Sequence, residues 1–322
     1  MKEVSAAENE PLARILRAIL IEDPSGIERL SPGEAATIDP LLEANGLEPL
    51  LFDTSRREGT ASQLCPERES AWKTAWLMAS GRWAAYRSAL EELREIASAG
   101  EMEIQVSGSA AFALRVYPHP ELRPIDWIEA AVEDSRSADL RYALESWRWS
   151  AVERMTDAPQ EGGGGAPLAR DGVEIRLQNM PLLENAGPAE YLGAGLFGPG
   201  LEALCVLNAA EMARRRYTRS LILLLDIALA LADSRVTAGR VARLAAKNHL
   251  ELETALALDL AREVLGVEAR VPAPVGEEMQ EDWKDLRNNC LAMLLQHPAD
   301  RRVQAAIEEG LRAVRVDHRV TG

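Results

Sequence analysis

The sequence predicts an α+β protein, mostly helical, with one short stretch of strands set between two helical segments. Two observations carry this expectation. Apolar residues recur at three- and four-residue steps through the first hundred or so positions and again from Leu201 onward, which is the helical period. Between them, several short runs alternate with a period of two, which is the strand period. The expected layout is an N-terminal helical segment at 1–100, an α/β core at 101–200 and a C-terminal helical bundle at 201–322.

Taken in order, Leu12, Ile15, Leu16, Ile19 and Leu20 form the first helical stripe. Ser31-Pro32-Gly33-Glu34 has the form of a capping box with proline at the first helical position. Asp39-Pro40 reads as the start of a further helix, and Gly46 as a stop. A long helical pattern runs from Pro66 to Ala99, with Trp72, Trp76, Trp83, Tyr86, Leu90, Leu93 and Ile96 on its stripe. Gly81 is expected to bend or split it, and Gly100 to end it. Strands are expected at Glu103–Val106, Ile125–Val132, Trp149–Arg154 and Val173–Leu177, with helices at Ser109–Val116 and Ala138–Ser146. Gly162 to Gly165 reads as a loop. From Leu201 the sequence reads as six helices, with Thr237 as an N-cap and Gly266 as a C-cap.

Composition narrows the function classes. The chain has 322 residues, a net charge of −15 and a pI of about 4.9. Such a surface repels nucleic-acid phosphates and anionic lipid, so no bulk nucleic acid and no membrane partner is expected. Only four of the 36 basic residues are lysines. That bias fits a GC-rich bacterial genome, with arginine-rich phosphate recognition as the other reading. Cys65, Cys205 and Cys290 lie far apart with no metal spacing, and no secretory pattern opens the chain. The expectation is a cytoplasmic, acidic protein.

One stretch carries chemistry. After the first expected strand comes Ser107-Gly108-Ser109, then a helix, Tyr117, Arg123-Pro124, and Ile125-Asp126-Trp127-Ile128-Glu129; a later strand holds Val173-Glu174-Ile175. This order resembles the DNA polymerase β-like nucleotidyltransferase superfamily, and more closely the bacterial family described as uncharacterised nucleotidyltransferases. There a glycine turn follows the first strand, an Asp-x-Asp pair lies on the next strand, and a third acid lies on a later one. Leu223-Leu224-Leu225-Asp226-Ile227-Ala228, and Val271-Pro272 after Leu265-Gly266, also resemble that family's C-terminal half.

The resemblance implies a small nucleotidyltransferase-like mixed sheet. Glu129 and Glu174 would hold magnesium, with Asp126 as a further catalytic acid. Gly108, Ser109, Trp127 and Arg123 would contact a nucleoside triphosphate. The chemistry wants such residues because divalent ions held by carboxylates clamp the oxygens of the transferred phosphoryl group. Acids at i and i+2 of a strand share a face and can share an ion. Glu129 is therefore expected on the face of Trp127, within reach of Glu174.

The sequence also departs from the family. Trp127 stands at the first acid of the pair, Ser107 at the family's lysine, and Arg176 where a histidine is common. Alternation sends Asp126 to the face opposite Glu129 unless a bulge intervenes. Three readings follow. The first is a nucleotidyltransferase-like protein with lost or altered metal-dependent transfer, a pseudoenzyme or binding protein whose partner is a protein or other ligand. The second is an active nucleotidyltransferase with a rearranged site acting on a small molecule, sugar or peptide. The third is an accidental likeness in an unrelated helical protein. Magnesium and a nucleoside triphosphate are the cofactors if the site works, and neither is expected if it is dead. Elsewhere, Arg214 to Arg216 read as charge at a helix C-terminus or a phosphate contact, and Asp226 as a buried acid with a hydrogen-bond partner or a functional role.

Overall fold

The structure is a computed structural model that describes residues 6–21, 31–152, 166–180, 183–184, 189–193, 196–269, 280–295 and 303–312. The α+β class holds: helices predominate, beside a seven-stranded mixed sheet. The chain divides into two compact units, one made of 1–75 together with 205–322 and the other of 76–204. No helix among the described residues is long and apolar enough to cross a membrane. The Gly162–Gly165 run and Val271-Pro272 lie outside the described residues.

The two-segment unit is helical. It contains α1 (Ala6–Ile21), α2 (Pro32–Ala44), α3 (Glu48–Arg57) and the start of α4 (Pro66–Gly100). From the later segment it takes most of α7 (Leu201–Arg214), then α8 (Leu221–Ala232), α9 (Ala238–Lys247), α10 (Glu251–Leu265), α11 (Gln280–Leu295) and a helix at 303–312. The capping box forms as expected: Ser31 N donates to Glu34 Oε2 at 2.7 Å, and Glu34 N to Ser31 Oγ at 3.3 Å. The helix start expected at Asp39-Pro40 is corrected, because α2 continues through Pro40. Proline there forfeits one backbone hydrogen bond, and the burial of Ile38, Leu41 and Leu42 on the same helix offsets the loss.

Helix α8 is apolar on nearly every side, the pattern of a helix surrounded by others. It packs against α1 and α10, which also pack against each other. Two buried polar groups are answered inside this core. Asp226, the one charged residue of α8, accepts from Asn208 Nδ2 at 3.1 Å. The first backbone N–H of α8, at Leu221, lacks an intrahelical acceptor and donates to Asn45 Oδ1 at 2.9 Å. Asn45 closes α2 and also donates from Nδ2 to Leu41 O at 2.8 Å. Gly266 ends α10 in the left-handed conformation, and Thr237 caps α9, both as expected.

The intervening unit holds the remainder of α4 and the sheet. Gly81 does not split α4, which runs unbroken to Gly100. One glycine costs about 1 kcal/mol of helix propensity, less than the burial of Ala89, Leu90, Leu93 and Ile96 returns. The strands are β1 (Gln105–Ser107), β2 (Ile128–Val132), β3 (Ser150–Ala151), β4 (Leu168–Arg170), β5 (Val173–Asn179), β6 (Glu190–Gly193) and β7 (Leu196–Gly198). Their order is β3-β4-β5-β2-β1-β7-β6. β1 runs antiparallel to β2, and β2 parallel to β5. One face of the centre is apolar and buried, with Val106, Ile128, Ala130, Ile175 and Leu177. The helices α5 (Gly108–Arg115) and α6 (Ser137–Ser146) pack on the sheet and bury Phe112, Leu140 and Leu144. The other face is polar at the same positions along the ladder: Ser107, Glu129 and Arg176.

Asn45 answers backbone of two helices at once, so Asn45→Ala leaves a buried N–H unpaired. We expect a loss of about 1–3 kcal/mol, read as a lower urea midpoint with an unchanged slope. A midpoint equal to that of the parent chain would show that Asn45 does not cap α8.

Candidate functional site

At the end of β1 the chain turns into α5 through Gly108, whose φ of 61° is left-handed. The register sets Ser107 opposite Glu129, and Ser107 Oγ donates to Glu129 Oε2 at 2.8 Å. A Cβ at Gly108 would stand 2.7 Å from that same oxygen. Glycine is therefore needed twice, for the backbone angle and for the approach of the carboxylate. The carboxylate lies beside the N-terminus of α5, where the helix dipole favours negative charge.

Trp127 comes just before β2, and its indole Nε1 donates to the other oxygen, Glu129 Oε1, at 3.1 Å. Glu129 thus points to the side of Trp127, as expected. In the parallel pair β2–β5, Glu129 is level with Arg176, and Glu174, two residues earlier on β5, shares that face. Arg176 Nε donates to Glu174 Oε1 at 2.6 Å. The guanidinium carbon of Arg176 lies 3.3 Å from the centre of the Trp127 ring, a cation–π contact. One continuous polar chain results, running from Ser107 through Glu129, Trp127 and Arg176 to Glu174.

Tyr86 of α4 braces the approach to β2. Its hydroxyl donates to Ile125 O at 2.6 Å, with Asp126 O at 3.3 Å. Burial, followed by the negative charge of Asp126, pushes its pKa up to about 12 from 10.0. Asp126 itself is exposed on the bend before β2. Ser109 is half-buried on α5, and the buried Arg123 donates to the carbonyl of Pro124. Of the residues expected at a site, the structure brings together Gly108, Trp127, Glu129 and Glu174. Asp126 lies close enough to that group for its charge, like that of Glu174, to act on Tyr86.

The same three side-chain types meet a second time in this unit. Trp149 Nε1 donates to Glu92 Oε2 at 3.0 Å, Arg170 lies 4.9 Å over the Trp149 ring, and Arg170 pairs with Glu92. There the arrangement fastens β4 and the start of β3 to α4, beside the Asp171-Gly172 turn that joins β4 to β5.

Three participants were hidden in the sequence. Arg176 reads there only as a departure from a histidine, Ser107 as a missing lysine, and Tyr86 as one more member of an apolar stripe. Charge alternation on β5, with Glu174 and Arg176 on one face, is the signal that points to the pair. Among the described residues, no group of three or more His, Cys, Asp or Glu side chains is placed to hold a metal ion. No protein-family model matches this chain, and no curated protein or solved structure matches it.

Gly108→Ala is expected to cost about 1–2 kcal/mol, because it forces a left-handed alanine and displaces the Glu129 carboxylate. Chemical denaturation measures this, and an unchanged stability would contradict the close packing. The raised Tyr86 pKa has a definite sign. Its contribution to stability is complete below pH 10 and is lost as the pH rises through about 12. A spectroscopic tyrosine titration should show one group ionising near pH 12 that is missing in Tyr86→Phe.

Proposed function

We propose that the intervening unit is a nucleotidyltransferase-like core that has given up metal-dependent transfer and serves as a ligand- or partner-binding protein. The observation that carries this reading is the Trp127–Glu129 hydrogen bond. An indole stands where the leading acid of the pair belongs, and its N–H occupies the surviving one. The order of a strand, a glycine turn, a helix and an acid-bearing strand supports the likeness to that superfamily. Glu174, at the third acid position, lies on the parallel neighbour β5 and on the same face as Glu129, which adds to it.

The residues present do not fit a divalent ion. Magnesium is held by carboxylates in near-octahedral geometry. Glu129 and Glu174 share this face, but Arg176, bonded to Glu174 and level with Glu129, already balances their charge, and among the described residues no group of three or more His, Cys, Asp or Glu is placed to hold an ion. The repetition of the Trp–Glu–Arg arrangement at Trp149, away from the Gly108 turn, supports a structural use of these contacts. What such a core retains is a sheet face with a fixed pattern of charge, suited to binding a small molecule, a peptide or a protein.

Thermal unfolding of the full chain with each nucleoside triphosphate, in magnesium and in EDTA, tests the reading. A ligand at about 100 times its Kd adds about 2.7 kcal/mol of stability, enough to move the melting temperature. We expect any shift to be the same in both buffers. A shift that requires magnesium and disappears in Glu129→Ala would overturn the proposal and establish a working, rearranged site.

A further inference from the structure

We infer that Arg176 is the residue that keeps divalent cations out of this sheet face, by standing as its built-in cation. The inference deepens the reading above and rests on it. Its basis is the placement of one guanidinium among two carboxylates. Arg176 is level with Glu129 across the β2–β5 pair and bonded to Glu174 on its own strand. Without it, Glu129 and Glu174 would be like charges on neighbouring strands of one face, an arrangement that repels itself and attracts a cation.

Arginine suits the position for three physical reasons. Its charge is permanent, so no change within the range a cell experiences removes it. A guanidinium is weakly hydrated, whereas magnesium gives up its water reluctantly; a half-buried site therefore favours the arginine. The guanidinium carbon also lies 3.3 Å from the centre of the Trp127 ring, while Glu174 accepts from its Nε. The indole that replaced a carboxylate thus provides the surface that holds the replacement cation. Trp127 and Arg176 act as a pair, the ring carrying the guanidinium that balances the two carboxylates.

The test is direct binding of Mn2+ to the full-length chain, followed by electron paramagnetic resonance of the free ion. Arg176→Gln removes the charge and leaves a donor for Glu174; Arg176→Met removes the charge and keeps an apolar contact on the indole. Arg176→Lys keeps the charge, and melting curves establish that each variant is folded. We expect either neutral variant to bind Mn2+ at least about tenfold more tightly than the parent chain. Arg176→Lys should stay close to the parent, and Glu174→Gln added to Arg176→Gln should cancel the gain. Folded neutral variants with no gain would overturn the inference and leave the loss of metal-dependent transfer standing. A parent chain that binds Mn2+ as tightly as its variants, through Glu129, would overturn both.

Discussion

The carboxylate of Glu129 receives a hydroxyl from the strand on one side and an indole N–H from its own strand's approach, and it lies against a glycine at the mouth of a helix. These contacts fix the relation of β1, α5 and β2 at the centre of the sheet. The constraint is steric as much as electrostatic, since a single methyl group at Gly108 would meet the carboxylate oxygen. Because Glu129 is held this way, Trp127 is oriented. Because Trp127 is oriented, Arg176 has a surface to lie on, and Glu174 has a partner. The polar face of this unit follows from that one placement, while the apolar face follows from ordinary alternation along β2 and β5.

The helical unit solves a similar problem by a different route. Its central helix is so apolar that its one carboxylate and its first backbone N–H would be costly if left alone. Asn208 and Asn45 answer them. Both are neutral amides, which hydrogen-bond without bringing a second charge into the core. The arginines at the end of α7 remain near the surface, where Arg214 and Arg215 pair with Glu211 and Arg216 pairs with Glu308. Burial alone would raise the pKa of Glu211, but the hydrogen bonds and charges of Arg214 and Arg215 together hold it below the usual carboxylate range.

Much of the fold was legible because its elements are long. The stripe of α4, the apolar run of α8 and the caps at Ser31, Thr237 and Gly266 are written in local spacing. The misreadings have local causes too. Pro40 and Gly81 are helix breakers by propensity, and each sits where buried neighbours outweigh it. Strands β4, β6 and β7 span only three or four residues, too few for a period of two to stand out. The site was legible in part. Glycine and acids at 108, 129 and 174 form a pattern along the chain. The contacts among Ser107, Trp127 and Arg176 depend on strand register, and the Tyr86 hydrogen bond joins positions 39 residues apart. Neither is encoded in a short window.

The division of the chain has a consequence for how it is made. The sheet unit is continuous in sequence, so a ribosome can deliver all of it before α8 exists. Helix α1 emerges first, yet it packs against α8 and α10 as well as α3, and Asn45 must wait 176 residues for Leu221. During that interval the part of α1 that faces α8 and α10 has no native cover. Loop closure over such a distance is slow relative to local helix formation, and exposed apolar surface invites association with other chains. Synthesis of this protein therefore favours early, nearly autonomous folding of the middle, with the two flanking segments joining last.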